Sequence, residues 1–197
     1  VIGDPELNYY RKRVGAEDVR ALQIGSPFDY QSQMRVFVVK AMPDPGARDY
    51  EEEMARWIEH FLMRTDGKAF VLFTSYANMD EAWDRMSPDL GESITCLRQG
   101  EAPKNELLSR FREADRPVLF ATSSFWEGVD VVGEKLGLVI IDNLPFANPS
   151  DPLVRARLDL IDESDGNAFM EFSLPQAALT LKQGFGRLIR SRDDRGV

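Results

Sequence analysis

The chain has 197 residues, of which 43% are hydrophobic, 29% charged and 10% aromatic, and its formal net charge is -9. That length supports one good core or two small ones, burying roughly 70% of the surface the unfolded chain exposes. A lone cysteine, Cys96, and a lone histidine, His60, exclude an internal disulfide framework, a Cys-cluster zinc or iron–sulfur site and a His-rich metal site within these residues.

Residues 1–30 read as a lead-in segment outside any sheet, marked by Tyr9-Tyr10-Arg11-Lys12-Arg13 and Ser26-Pro27-Phe28-Asp29-Tyr30. Residues 34–40 (Met-Arg-Val-Phe-Val-Val-Lys) read as a strand, followed by a turn at Pro43-Asp44-Pro45-Gly46. Over residues 50–63, Met54, Trp57, Ile58, Phe61 and Leu62 recur at helical spacing among acids, the pattern of an amphipathic helix that Asp66-Gly67 ends. Residues 68–74 read as a strand buried on both faces, and Asn78 is placed to cap a helix running to about Met86. Residues 92–97 read as a third short strand, residues 117–122 and 136–141 as two more with near-continuous apolar content, and residues 104–113, 151–162 and 174–189 as three more helices. The last residues, Arg195-Gly196-Val197, stand where a further strand would begin.

Apolar strands alternating with helical patterns predict an α/β fold, a mostly parallel sheet with helices on both faces. The domain organisation expected is a lead-in over 1–30 and one α/β domain over 31–197. No apolar run approaches the roughly 20 residues of a membrane span. The first residues carry neither a basic n-region nor an apolar h-region, so no secretory leader is expected there and the expected compartment is the cytoplasm. His60 is expected at the surface and Cys96 as a small buried hydrophobe.

Ligands of open α/β sheets bind beyond the carboxyl ends of the strands. Here those places carry Thr74-Ser75-Tyr76, Thr122-Ser123-Ser124 with the residues to Asp130, and Asp142-Asn143. The final predicted helix carries Gln183, Gly184, Gly186, Arg187 and Arg190. In a helix, Arg187, Arg190 and Gln183 share one face. Glycines in a helix interior cost about 0.8–1 kcal/mol each, so Gly184 and Gly186 point to close approach of backbone to something. Two guanidinium forks beside an amide suit a polyphosphate, whereas the bland alternative is surface pairing with Asp193, Asp194 or Asp130. Residues 174–197 hold Lys182, Arg187, Arg190, Arg192 and Arg195 against Asp193 and Asp194, a locally basic end on an acidic chain.

Taken together these segments resemble the DinG/XPD branch of superfamily 2 helicases, most closely the bacterial DinG-like proteins. Gln183-x-x-Gly186-Arg187-x-x-Arg190 is similar to motif VI. Phe125-Trp126-Glu127-Gly128-Val129-Asp130, followed by Leu144-Pro145-Phe146, is similar to motif V and its flank. Residues 71–76 resemble motif IV, and Ser26-Pro27-Phe28 the segment entering the domain. Alone, the motif VI pattern is weak; in this order with the other two it is specific. No G-x-x-x-x-G-K-[ST] loop and no D-E-x-H box occur. Asp80-Glu81-Ala82-Trp83 has Trp where such a box has His, and it falls on a predicted helix.

The resemblance implies the C-terminal, RecA-like motor half of an ATP-dependent DNA helicase, moving 5′ to 3′ on single-stranded or forked DNA in repair or recombination. It implies ATP and Mg2+ held mainly by an N-terminal RecA-like domain of the same protein, with any iron–sulfur cluster outside this chain. The chain alone is therefore expected not to hydrolyse ATP. By position in the motifs, Arg190 is the expected arginine finger, with Arg187 contacting phosphate or holding Asp130. Gln183, Gly186, Glu127, Gly128 and Asp130 are expected at the nucleotide. Thr74, Ser75, Thr122, Ser123 and Trp126 are expected along the DNA, as neutral phosphate donors and a stacking ring. For Phe125 core packing is the better expectation. The alternative is a RecA-like nucleic-acid-binding scaffold without motor function.

Overall fold

A computed structural model describes residues 6–91, 93–122, 125, 131 and 135–197. Its elements are α1 (Asn8–Val14), α2 (Tyr30–Gln33), α3 (Tyr50–Arg64), β1 (Ala69–Leu72), α4 (Tyr76–Leu90), β2 (Thr95–Arg98), α5 (Lys104–Glu113), β3 (Pro117–Ala121), β4 (Leu138–Ile141), α6 (Pro152–Glu163), a π-helical turn (Phe169–Ser173) and α7 (Leu174–Phe185). The four strands form one parallel sheet in the order β2-β3-β1-β4.

The two-residue period of the strands sorts their side chains into two cores. Ala69 and Val71 of β1, Val118 and Phe120 of β3, and Leu138 of β4 face one core, closed by Tyr50, Met54, Ile58 and Leu62 of α3 and Met79, Ala82, Met86 and Leu90 of α4. The four α3 residues recur at four-residue intervals, which is why this helix buries a single stripe. Phe70, Leu72, Leu119, Ala121 and Leu97 face the other core, closed by Leu107, Leu108 and Phe111 of α5, by Phe125, and by Leu188 and Ile189. Every residue of β1 and β3 is buried, as a sheet covered on both faces requires. Fully burying one such Val, Leu or Phe contributes about 1.5–3 kcal/mol.

The chain divides into two compact units, residues 28–144 with 183–197, and residues 1–27 with 145–182; the division falls within α7. The first unit holds the sheet. The second holds α1, α6, the π-helical turn and most of α7. There, Asp151 caps α6 by accepting the Leu153 and Val154 N–H groups at 2.8 and 3.1 Å, and Pro152 follows it in the first turn. Buried Phe172 takes the Arg13 and Arg157 guanidiniums over its ring at 5.4 and 5.8 Å. No residue of α6 is buried, and residues 145–182 group with residues 1–27.

Three expectations are corrected. Residues 34–40 are not a strand: only Met34 makes a β-bridge, to Gly196, and Val36, Phe37 and Val38 are exposed. The last residues lie beside β4 instead, Val139 N–H donating to the Val197 carbonyl at 2.8 Å and Val197 N–H to Gly137 at 3.0 Å. Asn78 does not cap α4; Ser75 does, its Oγ accepting the Asn78 N–H at 3.1 Å. The last helix ends at Phe185, four residues early, so Gly186 follows its end and Arg187 and Arg190 lie on irregular chain.

Candidate functional site

The parallel pairing brings the carboxyl ends of the strands to one edge, where Leu72 of β1 stands beside Ala121 of β3 and Ile141 of β4. Thr74, Ser75, Thr122 and Asp142 therefore share that edge, as their positions after apolar runs predict. Of the other expected residues, Ser123, Trp126, Glu127, Gly128 and Asp130 lie outside the described residues. Phe125 is core, 2% exposed, with Lys104 Nζ 4.9 Å above its ring.

The edge donors are engaged within the protein. Thr122 is 3% exposed, and its N–H and hydroxyl both donate to Gln99 Oε1, at 2.7 and 3.1 Å. Gln99 lies just past β2, where its own N–H donates to the Phe120 carbonyl at 2.9 Å, and its Nε2 donates to the Tyr76 hydroxyl. Thr74 directs its N–H and hydroxyl to the Asp142 carboxylate at 2.9 and 3.3 Å. Asp142 also accepts from Asn78 Nδ2 at 3.0 Å, and Asn143 Nδ2 donates to the Tyr50 hydroxyl at 2.8 Å. Burial, aided by the nearby Asp142 charge and partly opposed by the Asn143 hydrogen bond, pushes the Tyr50 phenol above its ordinary value, so it stays neutral.

The basic end is organised by a turn. Leu188 and Ile189, 4% and 2% exposed, anchor it in the second core, and Arg187 and Arg190 flank them, each half-buried. The same-face helical alignment of Gln183, Arg187 and Arg190 is thereby overturned: Gln183 is in α7, and both arginines lie beyond it. Gly186 stands at the helix stop rather than in its interior, while Gly184 is a buried helix residue. Asp194, 8% exposed, accepts the N–H groups of Arg190 and Ser191, both at 2.8 Å, and the Ser191 hydroxyl at 2.7 Å. Burial acts to raise its pKa, but those bonds and the nearby Arg190 charge outweigh burial and hold it below the ordinary carboxylate value.

Sequence reasoning missed Gln33. This buried residue of α2 points its Nε2 at the carbonyls of Ser191 (2.9 Å), Asp194 (3.1 Å) and Arg192 (3.2 Å). Backbone bonds tie the same segments, Arg35 N–H to the Gly196 carbonyl and Gly196 N–H to the Gln33 carbonyl, both at 3.0 Å. Among the described residues, no group of three or more His, Cys, Asp or Glu side chains could hold a metal ion, and no helix is long and apolar enough to cross a membrane.

Residues 58–197 match the helicase C-terminal domain family. Over 98% of its length the chain is 41% identical to the ATP-dependent DNA helicase YoaA of Escherichia coli, covering 30% of that protein. It is 37% identical to the ATP-dependent helicase DinG of Mycobacterium tuberculosis over 90% of its length, covering 27% of that protein. It is 35% identical to the 3′-5′ exonuclease DinG of Bacillus subtilis over 94% of its length, covering 21%. Among solved structures, apo XPD aligns over 80% of this chain and 33% of its own at a TM-score of 0.64 and 21% identity. An XPD helicase aligns over 79% and 28% at 0.62 and 17% identity. Those structures bear on the fold alone, and their likeness fits the RecA-like parallel sheet. The chain spans about a third or less of each relative, and it belongs to the helicase C-terminal domain family.

Proposed function

We propose that this chain is the second motor half of an ATP-dependent DNA helicase that moves 5′ to 3′ along single-stranded DNA. The observation that carries the reading is the motif VI turn, with Arg187 and Arg190 seated on the buried Leu188-Ile189 pair within the family's domain. The nucleotide would lie between this domain and an N-terminal RecA-like domain of the same protein that supplies the phosphate loop and the Mg2+ site.

In this reading Arg190 directs its guanidinium at the γ-phosphoryl group as charge develops on its oxygens. Arg fingers contribute 10³–10⁵ in rate in the GTPase systems where they are characterised. Arg187 holds a phosphate or Asp130, and Gln183 and Gly186 border the nucleotide with Glu127 and Gly128. The DNA runs along the sheet edge past Thr74, Ser75, Thr122 and Ser123, with Trp126 stacking on a base. Because Thr74 and Thr122 already donate to Asp142 and Gln99, DNA phosphates would have to replace those acceptors.

Arg190→Ala in the full-length protein is expected to abolish DNA-stimulated ATP turnover and unwinding while leaving single-stranded DNA affinity nearly intact, since a finger acts in the transition state. Arg190→Lys should not rescue, because a point charge cannot reproduce the planar fork. ATPase rates measured beside a salt titration of DNA binding decide the matter. Normal turnover with weakened DNA binding and a salt slope smaller by about one would move Arg190 from the nucleotide to the DNA.

A further inference from the structure

Arg190 has an unusual setting for a residue asked to aim a guanidinium. Helix α7 stops at Phe185, so no helical ladder fixes the Arg190 backbone. Two polar side chains, both buried, do that instead. Asp194 takes the Arg190 and Ser191 N–H groups and the Ser191 hydroxyl on one carboxylate. Gln33, reaching from a segment more than 150 residues earlier in the chain, gathers the carbonyls of Ser191, Arg192 and Asp194 on one amide nitrogen. Of the two ends of the Gln33 amide, only the NH2 can face carbonyl oxygens, sharing its two protons among the three, and the ionised Asp194 carboxylate accepts three donors without offering one. The turn is held at its N–H groups by one side chain and at its carbonyls by the other. The Met34–Gly196 bridge closes it.

We propose that Gln33 and Asp194 are positioning residues for Arg190: they hold its backbone so that the guanidinium meets the phosphoryl group. This rests on the reading of Arg190 as the finger. Side chains that act on a transition state must be held to within about 0.5 Å, and a misplacement of about 1 Å can cost 10²-fold in rate. Both side chains are buried and direct their polar atoms at the backbone of the turn, so both act through Arg190.

The test is a double-mutant cycle in the full-length helicase, read as ATP turnover with saturating single-stranded DNA. Asp194→Asn and Gln33→Met are each made in the wild-type and in the Arg190→Ala background. Ser191→Ala, which removes only the hydroxyl bond to Asp194, carries the cycle if the other two variants fail to fold. Each single change should lower kcat roughly ten- to hundred-fold (several-fold for Ser191→Ala), with the KM for ATP and the DNA affinity within about two-fold. Added to Arg190→Ala, each should change the residual single-turnover rate by less than about two-fold, because the group it positions is gone. Unchanged kcat in the single variants beside an inactive Arg190→Ala overturns the positioning role alone. So does a loss that multiplies with that of Arg190→Ala. Wild-type turnover in Arg190→Ala overturns the finger and its positioning together.

Discussion

Gln99→Ala should destabilise the sheet unit through a single side-chain oxygen. Gln99 Oε1 receives the Thr122 N–H at 2.7 Å and the Thr122 hydroxyl at 3.1 Å, and Thr122 is 3% exposed, so water has little access to either donor. Leaving a buried donor unsatisfied costs about 1–3 kcal/mol. The backbone N–H cannot turn away and bears that cost in full, whereas the hydroxyl can rotate and bears less. The expected loss is therefore about 2–3 kcal/mol, or roughly 4–12 °C in melting temperature for a chain of this size. Gln99→Glu is the informative partner, because it keeps an acceptor at the same place and gives up only the Nε2 donor to the exposed Tyr76 hydroxyl. It should lose less than about 1 kcal/mol. Urea unfolding followed by far-ultraviolet circular dichroism, with midpoints compared at constant slope, measures both. A loss below about 0.5 kcal/mol for Gln99→Ala, or equal losses for the two variants, would refute the idea that this acceptor holds the Thr122 end of β3.

The carboxylate of Asp194 is held below its ordinary value, so its contribution to stability is fully present above the unfolded pKa of about 3.8 and fades as pH falls through the lower folded value. The difference in urea midpoint between wild type and Asp194→Asn should accordingly be constant near neutrality and vanish in acid; a difference that grows on acidification would contradict the assigned bonds. Gly196→Ala should destabilise by about 1–3 kcal/mol, because a Cβ there would meet the Leu188 side chain at 2.4 Å and Leu188 is itself buried. A melting temperature equal to wild type would show that the turn around Asp194 has room the structure does not grant it.

What was legible in the sequence was what is decided locally or by period. The bounds of α5 need only neighbouring residues, and β1 and β3 announce themselves as apolar runs. Residues 34–40 have strand composition, yet a strand also needs an edge to pair with, and Gly196 and Val197 take the place beside β4. The end of α7 did carry a signal, since Gly186 marks a helix stop; reading it as an interior glycine placed Arg187 and Arg190 on a helix face that does not exist. The polar hubs were hidden for a different reason. Gln33 meets its carbonyls across 158 to 161 residues, Thr74 meets Asp142 across 68, and Thr122 meets Gln99 across 23. No local pattern encodes such partners.

These hubs also bear on how an acidic domain would grip an anionic strand. At the sheet edge the hydroxyls and N–H groups of Thr74 and Thr122 end on a carboxylate and an amide oxygen. A phosphate arriving at Thr74 would meet the Asp142 charge within a few ångströms, and two like charges about 5 Å apart repel by roughly 1–3 kcal/mol between water-like and surface dielectrics. At the motif VI turn the balance reverses. Asp194 spends its charge inward on backbone donors, while Arg187, Arg190, Arg192 and Arg195 fall within nine residues around it. A carboxylate turned inward fixes the turn without presenting itself to a ligand, and the arginines around it carry planar forks of donors that match phosphate oxygens. On the proposed function the anion-binding forks are concentrated at the turn, and Thr74 and Thr122 can donate to a DNA backbone by exchanging Asp142 and Gln99 for phosphate oxygens.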